Sequence, residues 1–266
     1  MNTLATAQQA LQTYAAIRID RGQRSGFDDQ VIEEMPIAML YNGVSHAVMM
    51  ATPSDLEDFA LGFSLSEGVV ENAREFSFVE AIKSDLGLSL EMTIPQSRFD
   101  LLTQRQRHIG AVSACGLCGV ESLQAAIRPA PKLQSSSTIS VTDIMAGIRM
   151  LSERQPLNNE SGGVHAAGFV HANGIVVRED VGRHNAVDKL VGALAKQSLG
   201  VGFLVLSSRA SYELVHKAAM ANIAIVVAIS APTSMAIQLA QSCGITLVCF
   251  ARGEQMTVYT HAQRVI

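Results

Sequence analysis

VGFLVLSSRASYELVHKAAMANIAIVVAISAPTSMAIQLAQSCGITLVCF, residues 201–250, is the stretch whose reading decides the fold. Apolar runs at 201–206, 223–229 and 245–250 are rich in leucine and β-branched residues, and two segments of helical spacing, 212–221 and 234–241, separate them. The runs lack polar alternation, so both faces of each strand are buried, as in a parallel sheet linked by right-handed helical crossovers. A further run at 256–259 can add an edge strand.

Upstream of this core, residues 142–154 read as a helix through Ile144, Met145, Ile148 and Leu151, ended by Pro156. An apolar strand at 164–171 turns at Asn173-Gly174 into a second at 175–178, and a helix then runs through Asn185, Val187, Leu190, Val191 and Leu194. The segment Arg128-Pro-Ala-Pro-Lys-Leu-Gln-Ser-Ser-Ser-Thr138 is linker-like, which puts a domain boundary there. The first domain is then 1–130 and the second 131–266.

In the first domain, apolar runs at 35–40 and 45–50 flank Tyr41-Asn42-Gly43, a strong hairpin signal. Thr52-Pro53-Ser54-Asp55 starts a helix with Leu56, Phe59, Ala60 and Phe63 on one face. Strands at 76–82 and 88–93 and a short helix at 98–106 follow, while residues 1–30 read as a lead-in strand and a loop. Arg18, Arg21 and Arg24 there read as a solvated face. The fold class expected is α/β: an α+β first domain and a second domain with a mixed, largely parallel sheet.

Hydrophobic residues make up 48% of the 266 and charged ones 17%, enough apolar material for a real core. A net charge of −4 argues against general affinity for nucleic acid or anionic membrane surfaces. No signal-peptide pattern opens the chain and no apolar run reaches membrane length, so the expected address is cytoplasmic. Four cysteines in so long a chain make no disulfide framework.

Two of those cysteines, Cys115 and Cys118, share the stretch Ser113-Ala-Cys-Gly-Leu-Cys-Gly119. A C-x-x-C turn lowers the pKa of its first thiol, which makes Cys115 the better nucleophile. The pair reads as half a zinc site, a thioredoxin-like dithiol, a carrier of transferable sulfur, or two inert small residues. A four-cysteine zinc site wants a second pair at similar spacing, and Cys243 and Cys249 are six apart within apolar segments. A thioredoxin motif opens a helix after a strand, whereas this one follows the polar run Thr103-Gln-Arg-Gln-Arg107.

In a sheet of this kind, ligands bind beyond the carboxyl ends of the strands. The loops there are Ser207-Ser208-Arg209-Ala210-Ser211, Ser230-Ala231-Pro232-Thr233-Ser234 and Phe250-Ala251-Arg252-Gly253-Glu254-Gln255. Helix N-termini cradle anions, so Ser207, Ser230 and Thr233 are candidate phosphate contacts, and Arg209 and Arg252 offer forked donors to a phosphate or a guanine edge. The plain alternative is that the hydroxyls only cap helices. Arg183, His184 and Lys189 can line the same cleft with Asp180 capping the next helix, or simply mark an exposed helix start. His165 reads as a satisfied core histidine.

The C-x-x-C stretch, Gly162-Gly-Val-His-Ala-Ala167, Arg183-His-Asn-Ala-Val-Asp-Lys189, Ser230-Ala-Pro-Thr-Ser234 and Phe250-Ala-Arg-Gly253, in this order, resemble the FdhD/NarQ family of formate dehydrogenase accessory sulfurtransferases. The resemblance runs from about residue 35 to the C-terminus. It implies a persulfide on Cys115, loaded by a cysteine desulfurase and passed to a bound molybdenum bis(molybdopterin guanine dinucleotide) cofactor destined for formate dehydrogenase. It also implies a cytidine-deaminase-like C-terminal fold, a homodimer, and a binding loop for the GDP-like guanine nucleotide moiety at Phe250, Ala251, Arg252, Gly253, Glu254 and Gln255. Ser208 stands where glycine is expected in many relatives. Deamination itself is disfavoured, because His165-Ala166-Ala167 lacks the glutamate proton shuttle and no Pro-Cys-x-x-Cys follows. Cys118 can assist release by attacking the inner sulfur. The alternative class is a non-catalytic cofactor chaperone whose C-x-x-C holds metal.

Overall fold

The computed structural model describes residues 10–108 and 129–266, so Cys115 and Cys118 lie outside the described residues. β1 (Leu11–Asp20) and β2 (Gln23–Ile32) form a two-stranded ribbon, paired without a break from Leu11 opposite Ile32 to Asp20 opposite Gln23. This corrects the reading of residues 1–30 as one strand and a loop. Arg21 and Gly22 both take positive φ, 48° and 84°, the twist that a two-residue hairpin turn needs. Arginine is an unusual occupant of that position, so the turn carries no signal in the sequence. Arg18, Arg21 and Arg24 are exposed, as expected, and Arg18 lies 4.3 Å over the Phe27 ring.

The first half continues as β3 (Met35–Tyr41), β4 (Val44–Ala51), α1 (Leu56–Ser66), β5 (Ser77–Ser84), β6 (Gly87–Thr93) and α2 (Gln96–His108). Its sheet has the order β4-β3-β6-β5, with β3 and β6 parallel. Ile37, Met39, Tyr41, Leu90 and Met92 meet Phe59, Ala60 and Phe63 of α1 in one buried cluster.

The second half comprises α3 (Val141–Glu153), α4 (Pro156–Ser161), β7 (His165–His171), β8 (Gly174–Asp180), α5 (Arg183–Ala195), β9 (Gly202–Leu206), α6 (Tyr212–Met220), β10 (Ile225–Ala228), α7 (Ser234–Cys243), β11 (Thr246–Arg252) and β12 (Gln255–Val258). The sheet order is β12-β11-β10-β9-β7-β8. β9, β10 and β11 are parallel, and β7 is antiparallel to both β8 and β9, so β8 runs with the parallel three. Ala186, Leu190, Leu214, Val215, Ala236 and Ala240 put α5, α6 and α7 on one face of this sheet, while Ile144 and Leu151 put α3 on the other. The fold is thus mixed α/β, with mixed sheets that include parallel strands.

The linker-like segment is fastened to the second half. Leu133 N donates to Cys243 O at 2.8 Å, and Ile139 N donates to Arg264 O at 2.8 Å.

The two halves meet where α1 crosses α5 at glycine distance. A Cβ on Gly62 would fall 1.7 Å from Asp188 O, and one on Gly192 would fall 1.9 Å from Asp58 O. Each helix thus sets an Asp-x-x-x-Gly step against the other, and neither glycine has room for a side chain. Around this crossing, Asp58 accepts from Arg178 Nη2 at 2.6 Å and pairs with Lys196 at 2.9 Å. Lys217 Nζ reaches Asp188 Oδ1, Glu67 Oε1 and Ser66 Oγ at 2.8, 2.8 and 2.9 Å. Burial opposes the charge on Lys217, but the Asp188 and Glu67 carboxylates outweigh it and hold its pKa above the ordinary lysine value.

Candidate functional site

The carboxyl ends of β8, β9, β10 and β11 lie at one edge of the six-stranded sheet, and α5, α6 and α7 begin there. The sequence explains this: each strand is followed by a short polar turn and then an apolar-faced helix, so three helix starts are delivered to one edge. Main-chain bonds zip the three candidate loops together. Ala210 N donates to Ala231 O at 3.1 Å, Thr233 N to Ala210 O at 3.0 Å, and Phe250 N to Ser230 O at 3.1 Å. Ser207, Arg209, Ser230, Thr233 and Phe250 are therefore neighbours along one rim.

Several side chains there serve the fold. Thr233 Oγ1 accepts from Ala236 N at 3.2 Å and caps α7. Ser207 Oγ accepts from Ala166 N at 2.8 Å, tying β7 to the end of β9. Ser208 is buried and its hydroxyl donates to Arg209 O at 3.1 Å, so the side chain that replaces the expected glycine is folded inward rather than into the rim. The side chains of Arg209 and Arg252 are exposed and make no hydrogen bond or ion pair among the described residues.

The third loop is a correction in kind. Strand β11 continues past residue 250 through an irregularity between Cys249 and Arg252, where Phe250 has φ 52°, and returns in β12. Phe250, Ala251 and Arg252 are thus the end of a bulged strand. Gly253 and Glu254 form the turn and Gln255 opens the next strand, and no helix start follows them. The bulge leaves Phe250 exposed at the rim while Ala251 is buried.

At the β8 end, Asp180 is a fully buried junction. Its Oδ1 accepts from Gly182 N at 2.7 Å and Asn185 Nδ2 at 2.9 Å, and its Oδ2 accepts from Thr52 N at 3.0 Å and pairs with Lys189 Nζ at 2.7 Å. Lys189 also donates to Thr52 O and Ser54 Oγ, at 3.0 and 3.2 Å. Lys189 therefore does not line the cleft as the sequence suggested. It is fully buried and locks the 52–54 turn of the first half to the start of α5.

That lock presents Arg183 and His184 to the rim. His184 Nε2 lies 2.9 Å from Glu213 Oε2, which also accepts from Ser211 Oγ at 3.2 Å, and the hydrogen bond to His184 holds the Glu213 pKa below its usual value. His165 pairs in register with Asp180 and is half-buried at the strand end, so it is not the satisfied core residue expected. Its imidazole has no hydrogen bond among the described residues. Burial, and then the positive charges of Arg183 and His184, lower its pKa. Its place two residues after Gly162-Gly163 is the one sequence signal that it sits at a strand end.

Among the described residues, no group of three or more His, Cys, Asp or Glu is placed to hold a metal, and no helix is long and apolar enough to cross a membrane. The arrangement is a rim of cationic side chains and helix starts in a chain of net charge −4.

Residues 32–266 match the FdhD/NarQ family. The chain belongs to that family. The protein named sulfur carrier protein FdhD from Xanthomonas axonopodis pv. citri (strain 306) is 51% identical over 254 residues, covering 93% of this chain and 90% of that one. The protein of the same name from Cupriavidus necator is 45% identical over 257 residues, covering 95% and 89%. A crystal structure of a putative formate dehydrogenase accessory protein from Desulfotalea psychrophila superposes with a TM-score of 0.76 at 25% identity, covering 97% of this chain and all of that one. As an FdhD/NarQ member, the chain has its rim inside the matched span and most of its β1–β2 ribbon outside it.

Proposed function

We propose that this protein is a sulfurtransferase that accepts sulfur on Cys115 from a cysteine desulfurase and passes it to a molybdenum bis(molybdopterin guanine dinucleotide) cofactor, bound as substrate on the rim, for use by formate dehydrogenase. The observation that carries the reading is the cationic rim, with the Arg209 and Arg252 side chains exposed and unpaired among the described residues, beside the starts of α6 and α7. Forked guanidinium donors and helix N-termini suit the phosphates and guanine edges of such a substrate. The family and the names of the relatives support the sulfur-carrying half of the reading.

The chemistry balances without an added oxidant in the loading step. The Cys115 thiolate attacks the outer sulfur of the desulfurase persulfide, the donor S–S bond breaks, and the donor cysteine leaves as a thiolate. In delivery, the Cys118 thiolate attacks the inner sulfur of Cys115. A Cys115–Cys118 disulfide forms, and the outer sulfur leaves as sulfide for the thiophilic metal. A reductant must then reopen the disulfide. The proposed working form is a cytoplasmic homodimer.

The test is mass spectrometry after incubation with a cysteine desulfurase and cysteine. One reductant-labile sulfur on Cys115, absent from Cys115→Ser, is expected. Bound zinc with no added sulfur would replace this reading with the metal-holding chaperone. A Cys118→Ala variant that delivers sulfur at the full rate would remove Cys118 from the second step.

A further inference from the structure

We propose that Arg183, His165 and His184 form a pocket at the start of α5 that takes a phosphoryl group, so that the charged end of the substrate nucleotide is held there. The proposal rests on the nucleotide reading above and deepens it by placing the phosphate.

The first observation is an orphaned donor. Arg183 Nε is sealed from solvent and has no hydrogen-bond partner, and the guanidinium makes no ion pair among the described residues. A buried guanidinium N–H without a partner is costly, and folds retain one where a ligand supplies the acceptor.

The second is that the fold has spent its nearby carboxylates elsewhere. Asp180 already answers Gly182 N, Asn185 Nδ2, Thr52 N and Lys189 Nζ. Glu213 answers His184 and Ser211. Among the described residues, neither of these carboxylates is therefore left to pair with Arg183, and an external anion can fill that place.

The third is convergence from a second element. His165 is on the face of β7 that carries Ala167 and Phe169, the face covered by α5 and α6, and it too lacks a hydrogen-bond partner among the described residues. Burial first, and then the positive charges of Arg183 and His184, lower its pKa. The Gly182 N-cap contributes no side-chain bond, so the first N–H groups of this thirteen-residue helix also remain available. A guanidinium, an imidazole on a second element and a helix start thus lie close enough for the charges of Arg183 and His184 to act on His165. A phosphoryl group, with three oxygens spread about one centre and up to two negative charges, can accept from all three.

The test titrates the full chain with inorganic pyrophosphate at constant ionic strength and follows the His165 imidazole by NMR. Binding should raise the His165 pKa, because the added anion offsets the charges of Arg183 and His184 while Asp180 and Glu213 stay engaged. Arg183→Gln should weaken pyrophosphate by at least about tenfold and abolish the His165 response, and Arg183→Lys should restore only part. GDP should lose affinity in Arg183→Gln by a similar factor, while guanosine, lacking phosphate, should not change. Pyrophosphate that leaves His165 unmoved, or binds Arg183→Gln as tightly as the wild type, overturns the proposal. Failure of GDP and guanosine alike to bind the wild type would instead overturn the nucleotide reading, with the pyrophosphate result still deciding the pocket.

Discussion

Substituting alanine for Gly62 separates two effects of opposite sign. In an isolated helix, alanine is favoured over glycine by about 1 kcal/mol. Here the new Cβ would lie 1.7 Å from Asp188 O and 2.6 Å from both Asp188 C and Gly192 N. All three are backbone atoms of α5, so no side chain can swing away and the helices must part by more than about 1 Å. Overpacking in a rigid core costs about 1–3 kcal/mol and sometimes more. The crossing is also ringed by the Asp58–Arg178 and Asp188–Lys217 pairs, which parting would stretch. After the propensity gain a net loss of about 1–2 kcal/mol remains at the upper end of that range, and stretching of the ion pairs adds to it, so sterics override propensity. Urea unfolding followed by circular dichroism should show a lower midpoint at unchanged slope. Gly192→Ala should behave alike, and the double variant should lose less than the sum, because one parting of the helices relieves both clashes. A Gly62→Ala midpoint at or above the wild type would refute the close approach.

Lys217→Met leaves Asp188 buried without its counter-charge and should cost about 3–5 kcal/mol in urea unfolding, much of it recovered when Asp188→Asn is added. His165, with a folded pKa below its unfolded value near 6.5, binds protons more readily when unfolded. Its contribution to stability is complete above that value and declines as the pH falls through it, so the difference in unfolding free energy between wild type and His165→Gln should change below about pH 6.5 and stay flat above. Burial pushes the Cys249 thiol up to about 12, and Cys243 is buried beside it in the same core, so maleimide at pH 8 under native conditions should leave both unlabelled. Peptide mapping that finds either one modified would contradict their packing.

The parallel core was legible because its strands are buried on both faces, which removes the ambiguity of alternation. The runs at 201–206, 223–229 and 245–250 fall on β9, β10 and β11 with small shifts at the ends. What the sequence hid were features decided by distant partners or by unusual backbone. Phe250 at positive φ looks like any strand residue, so a bulged hairpin read as a loop. The Arg21-Gly22 turn lacks the customary asparagine or aspartate, so β1–β2 read as a strand and a loop. Lys189 looks like a cleft lysine because its partner, Asp180, lies across a turn and its other acceptors belong to residues 52 and 54. The Asp-x-x-x-Gly steps of α1 and α5 were present in the sequence, but a pair of glycines announces a close crossing only when the facing helix is known.

The seam between the halves bears on how the stretch proposed to carry sulfur would meet the rim. The described chain leaves the first half at the end of α2, where Arg105 donates to Gly68 O at 3.3 Å. It re-enters at Pro129, whose carbonyl lies 3.2 Å from His216 Nε2 on α6. His216 is one helical turn, about 6 Å, from the start of α6 at the rim. Cys115 precedes Pro129 by fourteen residues, a length that spans at most about 50 Å. Both ends of the stretch are thus fixed to a body that also holds the rim, and an intramolecular tether gives the sulfur a higher effective concentration at its own rim than a separate chain would. Delivery within one chain is the expected outcome. Mixing Cys115→Ser with Arg183→Gln chains, unfolded and refolded together, should then leave sulfur transfer to formate dehydrogenase as low as in either variant alone. Recovery toward about a quarter of the wild-type rate, the share expected when half of the dimers are mixed and each has one competent pairing, would mean that one protomer's cysteine serves its partner's rim, and the tether argument would fall.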